Sequence, residues 1–170
     1  MRLVFAALIL GLAAATPAIS QTAPAPRPES RIDYDGFQAL TAEVRAHRTG
    51  RLVSLEEFNA MARERGTLIL DARTPDAYRR GHIRGAVNLP LTDFTERRLR
   101  QVIGRDPDRR ILIYCNNNFL GDREPVPTKM ISLALNIQTF INLYGYGYRN
   151  VYELRDSVEM DDPAVGWVRG

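Results

Sequence analysis

The chain reads as an α/β domain with a mainly parallel sheet flanked by helices on both faces, and three observations predict it. Two short runs, residues 67–70 and Ile111–Tyr114, have the length and the β-branched, apolar make-up of strands buried on both faces. Segments with apolar residues at helical spacing lie between the strands, and the connections are short, the pattern of parallel strands joined by helical crossovers. The two runs lead into Asp71 and Cys115, and ligands of such sheets gather beyond the carboxyl ends of the strands.

Residues 1–20 begin with the basic Arg2, continue through a thirteen-residue apolar run, residues 3–15, and end in Ala18-Ile19-Ser20, with small residues where signal peptidase reads. This is the three-part pattern of a secretory signal, and the apolar run is short of the ~20 residues a spanning helix needs. The chain is therefore expected to be exported, periplasmic or secreted, cleaved near Ser20, with no membrane span afterwards. Residues 21–31, rich in Pro and Ala without periodicity, read as a flexible tether. Residues 32–50 read as a helical extension. Within 34–47, Phe37, Leu40 and Val44 recur at helical spacing, so an extra N-terminal helix should pack on the domain from outside.

The domain proper takes residues 51–170. Residues 51–53 suit a short strand, and Ser54-Leu55-Glu56-Glu57 is a capping box opening a helix to about Arg65. After the first buried strand comes a short helix, Pro75–Arg80, with proline at its first position, where no amide is missed. Gly81 and Gly85 bracket a turn before a strand at Ala86–Asn88. Residues 93–103 are amphipathic, with Phe94, Leu99, Val102 and Ile103 inward, and stop at Gly104. The second buried strand delivers Cys115. A long loop follows, residues 128–143 are apolar enough for a largely buried helix, and Val151–Leu154 makes a last strand.

Net charge is +3, and +2 once Arg2 leaves with the signal, so no bulk attraction to nucleic acid or membrane is expected. No nucleic-acid motif, internal repeat or metal-ligand spacing of His and Cys is present, and neither metal nor cofactor is expected. Cys115 is the only cysteine. It is a buried small residue, an intermolecular partner or a reactive thiol.

Two stretches carry a family resemblance. The first is Leu68-Ile69-Leu70-Asp71-Ala72-Arg73 followed by Asp76-Ala77-Tyr78-Arg79-Arg80-Gly81-His82-Ile83-Arg84-Gly85-Ala86-Val87-Asn88-Leu89-Pro90. It resembles the rhodanese pattern of a strand ending Asp-x-Arg, then Tyr-x-x-Gly-His-Ile-x-Gly-Ala. The second, Ile111-Leu112-Ile113-Tyr114-Cys115, is similar to the strand that delivers that family's nucleophile, and Gly147-Tyr148-Arg149-Asn150-Val151 is similar to its approach to the last strand. The resemblance implies a single rhodanese-type domain with Cys115 as a sulfur-transferring nucleophile. The chain departs from the family after Cys115, where residues 116–127 make a loop about twice the usual length, and at Arg155-Asp156-Ser157-Val158, which replaces a common Gly-Gly pair.

Sulfur transfer needs a thiolate that attacks the outer sulfur of a donor and holds it as a persulfide. At an unperturbed pKa near 8.5, about 3% of a thiol is ionised at neutral pH, so amides and cations must favour the anion. Asn116, Asn117 and Asn118 tolerate the backbone of an anion-binding nest, with Phe119 and Gly121 in the same turn. Arg123 and Lys129 are candidates for holding an anionic donor, and polar turns or solvent ion pairs are their bland alternative. Asp71 and Arg73 resemble the family's pair at the neighbouring strand end, where bracing the loop is the expected task. The expected partners are a small sulfur-donor anion or a thiol acceptor protein. The alternative is a non-catalytic binding or regulatory module whose long loop recognises a protein or small anion. Phosphatase chemistry fits poorly, because Gly121, not an arginine, stands six residues after Cys115.

Overall fold

The structure, a computed structural model, describes residues 29–169. The expected signal sequence and most of the tether lie outside the described residues. Residues 29–32 carry neither helix nor strand, and every element belongs to the unit that begins at Asp33.

The order is α1 (Tyr34–Arg48), β1 (Leu52–Val53), α2 (Leu55–Ala62), β2 (Leu68–Asp71), α3 (Pro75–Arg80), β3 (His82–Ile83), β4 (Ala86–Asn88), α4 (Glu96–Val102), β5 (Ile111–Tyr114), α5 (Leu135–Gly145), β6 (Val151–Leu154) and β7 (Trp167–Val168). Five strands form one parallel sheet in the order β1-β6-β5-β2-β4, and β3 and β7 make a separate antiparallel pair. The fold is thus the expected α/β sheet flanked by helices, with α1 ahead of it.

The two-residue period of a strand sorts its side chains between two cores. Leu68 and Leu70 of β2 and Ile111 and Ile113 of β5 join Val44, Phe140 and Ile141 from α1 and α5. Ile69, Leu112 and Tyr114 point the other way, towards Phe58 of α2 and Phe119. Both central strands are buried throughout, which is why they show no polar alternation. The Ser54 capping box forms as expected, and Thr74 caps α3 from the position before Pro75.

Helix α1 is built into the domain. Val44 is buried in the first core with Leu40 packed against it, Arg48 grips both carboxylate oxygens of Glu153 at 2.5 and 2.7 Å, and His47 Nε2 bonds the Arg149 carbonyl at 2.9 Å.

Two helix starts and one strand pair differ from expectation. The helix expected over 128–143 begins only at Leu135, after a 3-10 turn at Ile131–Leu133. Loop side chains claim its first backbone groups: Thr128 N donates to Asp122, Lys129 N donates to Asn117 Oδ1, and Asn117 Nδ2 donates to the Lys129 carbonyl. Helix α4 starts at Glu96, where Thr95 caps it, and a separate 3-10 turn takes Leu91–Asp93. The β3–β7 pair had no signal, since two residues carry no period. No helix among the described residues is long and apolar enough to cross a membrane.

Candidate active site

Cys115 follows the last residue of β5 at the carboxyl edge of the sheet. In the parallel register Tyr114 of β5 stands beside Asp71 of β2, and Ile113 beside Glu153 of β6, so Cys115 emerges between two neighbouring strand ends. It is extended, and the chain then makes one 3-10 turn, Asn116–Asn118. Because side chains alternate, the thiol points to the α1–α5 face and the Tyr114 ring to the other.

The three asparagines do different work. Asn118 is a buried tie: its Oδ1 accepts from Cys115 N at 2.9 Å, and its Nδ2 donates to the Leu154 and Asp156 carbonyls at 2.7 and 3.1 Å. The ends of β5 and β6 are thereby locked around the thiol. Asn117 clamps the Lys129 backbone. Asn116 Nδ2 holds the Pro127 carbonyl at 2.9 Å, while its Oδ1 is buried without a partner.

Backbone amides reach the sulfur from two segments. Asn117 and Asn118 come from the turn that follows Cys115, and Leu135 and Asn136 from the start of α5, a helix whose N-cap, Ala134, has no side chain to satisfy them. Asn136 is 3% exposed; its Nδ2 donates to Asn118 Oδ1 at 3.2 Å, and its Oδ1 has no partner. Burial pushes the Cys115 thiol above its ordinary pKa, the amides of Asn136, Asn117 and Leu135 pull it down, and the Glu153 carboxylate pushes it up again, with burial the strongest.

The thiol lines a cavity of about 700 Å³. Helix α1 contributes Thr41, Val44, Arg45 and Arg48, α5 contributes Asn136, Ile137, Phe140 and Ile141, and Ile131 and Ala134 complete one side. Glu153, Leu154 and Arg155 close the strand side. Cys115 itself is 1% exposed.

On the opposite face lies a second polar cluster. Arg73, 3% exposed, pairs with Asp71 through Nη2 at 2.6 Å and Nε at 3.0 Å, and donates to the carbonyls of Gly81 at 2.8 Å and Pro125 at 3.4 Å. Tyr114 Oη donates to Asp71 at 2.5 Å and accepts from Ile83 N at 3.2 Å. The guanidinium lies between the Tyr114 and Trp167 rings. A Cβ on Gly81 would come within 2.5 Å of the Trp167 indole, so only glycine permits this approach.

Five residues expected to hold the anion do not line the thiol cavity, and the first is Asn116, whose side chain turns to Pro127. Phe119 is buried between Tyr114 and Trp167 at 6.0 and 4.9 Å between ring centroids, because residues 118–120 pair with Val158 and carry the chain off to the other face. Gly121 supplies a left-handed turn in the exposed part of the loop. Arg123 pairs with Asp161 at 2.8 Å and lines a separate surface depression beside Arg80 and Trp167. Lys129 meets Asn117 through its backbone only. Sequence reasoning missed Asn136, Glu153 and the α1 residues. Asn136 did interrupt an apolar helical run, and that was the one signal available. Among the described residues no group of three or more His, Cys, Asp or Glu is placed to hold a metal ion.

A family model described as Rhodanese-like domain matches residues 54–159. Three solved structures resemble the chain: the BH2092 protein of Bacillus halodurans, at 15% identity and TM-score 0.47 over 72% of this chain and 77% of that one; the Alr3790 protein of Anabaena sp., at 26% and 0.41 over 61% and 69%; and the single-domain sulfurtransferase RDL2 of Saccharomyces cerevisiae, at 12% and 0.43 over 64% and 85%. No curated protein matches.

Proposed function

The chain belongs to the rhodanese-like domain family, and from that premise we propose that it transfers sulfane sulfur through a persulfide on Cys115. The observation that supports this reading is the setting of the one thiol. It stands at the carboxyl edge of a parallel sheet, lines a cavity large enough for a small molecule, and receives the amides of Asn136, Leu135 and Asn117. Those amides favour a sulfur anion, either the attacking thiolate or the persulfide that replaces it. The donor loses its outer sulfur to Cys115, and a thiol, on a small molecule or an acceptor protein, removes it. In the same reading the protein works outside the cytoplasm, released from a signal cleaved near Ser20; N-terminal sequencing of the exported form is expected to start close to Gln21.

The test is to charge reduced protein with thiosulfate or an organic thiosulfonate and weigh it. A gain of about 32 Da on Cys115, removed by cyanide as thiocyanate, is the expected result. A reduced thiol after both donors overturns it. The alternative, a binding module without turnover, draws on the burial of Cys115 and the upward push on its pKa. It requires Cys115→Ser to leave ligand binding intact.

A further inference from the structure

We propose that the preferred sulfur donor carries its sulfane sulfur on an apolar organic body, and that α1 and the start of α5 are the specificity elements that receive it. This rests on the sulfurtransferase reading and goes on to name the substrate class.

The space in front of Cys115 is the first ground. At about 700 Å³ it is sized for a small organic ligand and far exceeds an inorganic oxyanion. Its chemistry is the second. Val44, Ile131, Ala134, Ile137 and Phe140 supply apolar walls, and Ile131 at 86% exposure leaves an aliphatic surface open at the margin. Of the cations on the cavity wall, Arg48 is committed to Glu153 by two hydrogen bonds and Arg155 sits 3.4 Å from Asp156, while Arg123 lines the other depression. Arg45 of α1 completes the basic part of the lining, a charge that suits the single anionic head of an organic thiosulfonate. Third, the wall from α1, residues 41–48, lies outside the segment 54–159 that matches the family model.

The step balances without a further reagent. The Cys115 thiolate, its proton already lost to solvent, attacks the outer sulfur of an organic thiosulfonate, R–SO2–S⁻. The Sγ–S bond forms, the bond to the sulfonyl sulfur breaks, and its electron pair leaves with the sulfinate, R–SO2⁻. Sγ is oxidised to the persulfide level and the sulfonyl sulfur is reduced, with charge conserved.

Benzenethiosulfonate and thiosulfate form a matched pair of probes, because a phenyl ring in one replaces an anionic oxygen in the other. Cys115 persulfidation is followed by mass spectrometry, and kcat/KM is compared for the two donors in the full mature protein. The wild type is expected to favour benzenethiosulfonate more than tenfold, mainly through KM. Ala134→Trp, which fills the cavity, and Ile137→Asp, which polarises its wall, are each expected to reduce that ratio at least fivefold. Using the ratio of ratios removes the difference in leaving-group reactivity. Should one variant fail to fold, the other carries the test.

Equal use of the donors, or a ratio that folded variants leave unchanged, overturns the substrate assignment while leaving sulfur transfer standing. Failure of both donors to modify Cys115 overturns both proposals.

Discussion

Two polar sites share the carboxyl edge of this sheet, on adjacent strands and opposite faces, and they are finished to different degrees. In the Asp71–Arg73–Tyr114 cluster each side chain has partners: the guanidinium meets a carboxylate, two carbonyls and two rings, and the phenol both donates and accepts. Around Cys115, by contrast, Asn116 Oδ1 and Asn136 Oδ1 are buried with nothing to accept from, and a cavity opens beside the thiol. Leaving such an acceptor unmet costs about 1–3 kcal/mol. A closed network holds a shape. An incomplete one retains a capacity to bind, and the incomplete one contains the proposed nucleophile.

The largest expected effect separates the two sites by readout. Cys115→Ser is expected to abolish persulfide formation while the protein still unfolds cooperatively in urea; a serine variant that still transfers sulfur breaks the comparison. On the closed side, Arg73→Ala leaves the Asp71 carboxylate buried without its cation, a change that costs about 3–5 kcal/mol in comparable pairs. Chemical denaturation measures it, and a loss below about 1 kcal/mol would show the cluster to be open to water. Asn118→Ala removes the tie between the ends of β5 and β6 and is expected to cost about 2 kcal/mol, from buried groups left unmet, with slower transfer because the thiol loses its fixed position.

A pH profile sharpens the contrast further. Burial holds the Cys115 pKa above its ordinary value, and the reactive form is the deprotonated one, so alkylation should accelerate about tenfold per pH unit through neutrality and beyond. A plateau below pH 8 would mean that the amides of α5 outweigh burial. The smallest change is at the rim: Arg48→Gln, with the pair half-exposed on the arginine side, is expected to cost about 1 kcal/mol and to slow Cys115 alkylation near neutral pH, because Glu153 is left facing the cavity without its cation.

How far the sequence reveals this arrangement follows from the range of the interactions involved. The strands Ile111–Tyr114 and Leu68–Asp71, the Ser54 cap and the helix at Pro75 are settled by neighbours within a few residues, and all were readable. The address of Cys115 at a strand end was readable for the same reason. The surroundings of the thiol were not. Residues 128–134 have an apolar helical pattern, but side chains of Asn117 and Asp122 capture the backbone at 128 and 129, so the helix that meets the sulfur starts late. Asn118 looked like one of three equivalent turn residues, and its role depends on carbonyls some 36 and 38 positions away. Helix α1 was visible as a helix. That its Arg48 closes on Glu153 across 105 residues of chain was not.

The alternation of β5 has a further consequence. Tyr114 and Cys115 are consecutive, yet one phenol completes a sealed ion pair and one thiol opens on a cavity, because successive residues of a strand face opposite ways. The two sites are thus joined covalently and screened from each other by the sheet itself. Residue exchanges can retune the pocket without disturbing the clamp, and the reverse. Insertion or deletion of a single residue in β5 has no such freedom: it would send an aromatic ring into the cavity and a thiol to Asp71, emptying the pocket of its thiol and breaking the ion pair's network in one event.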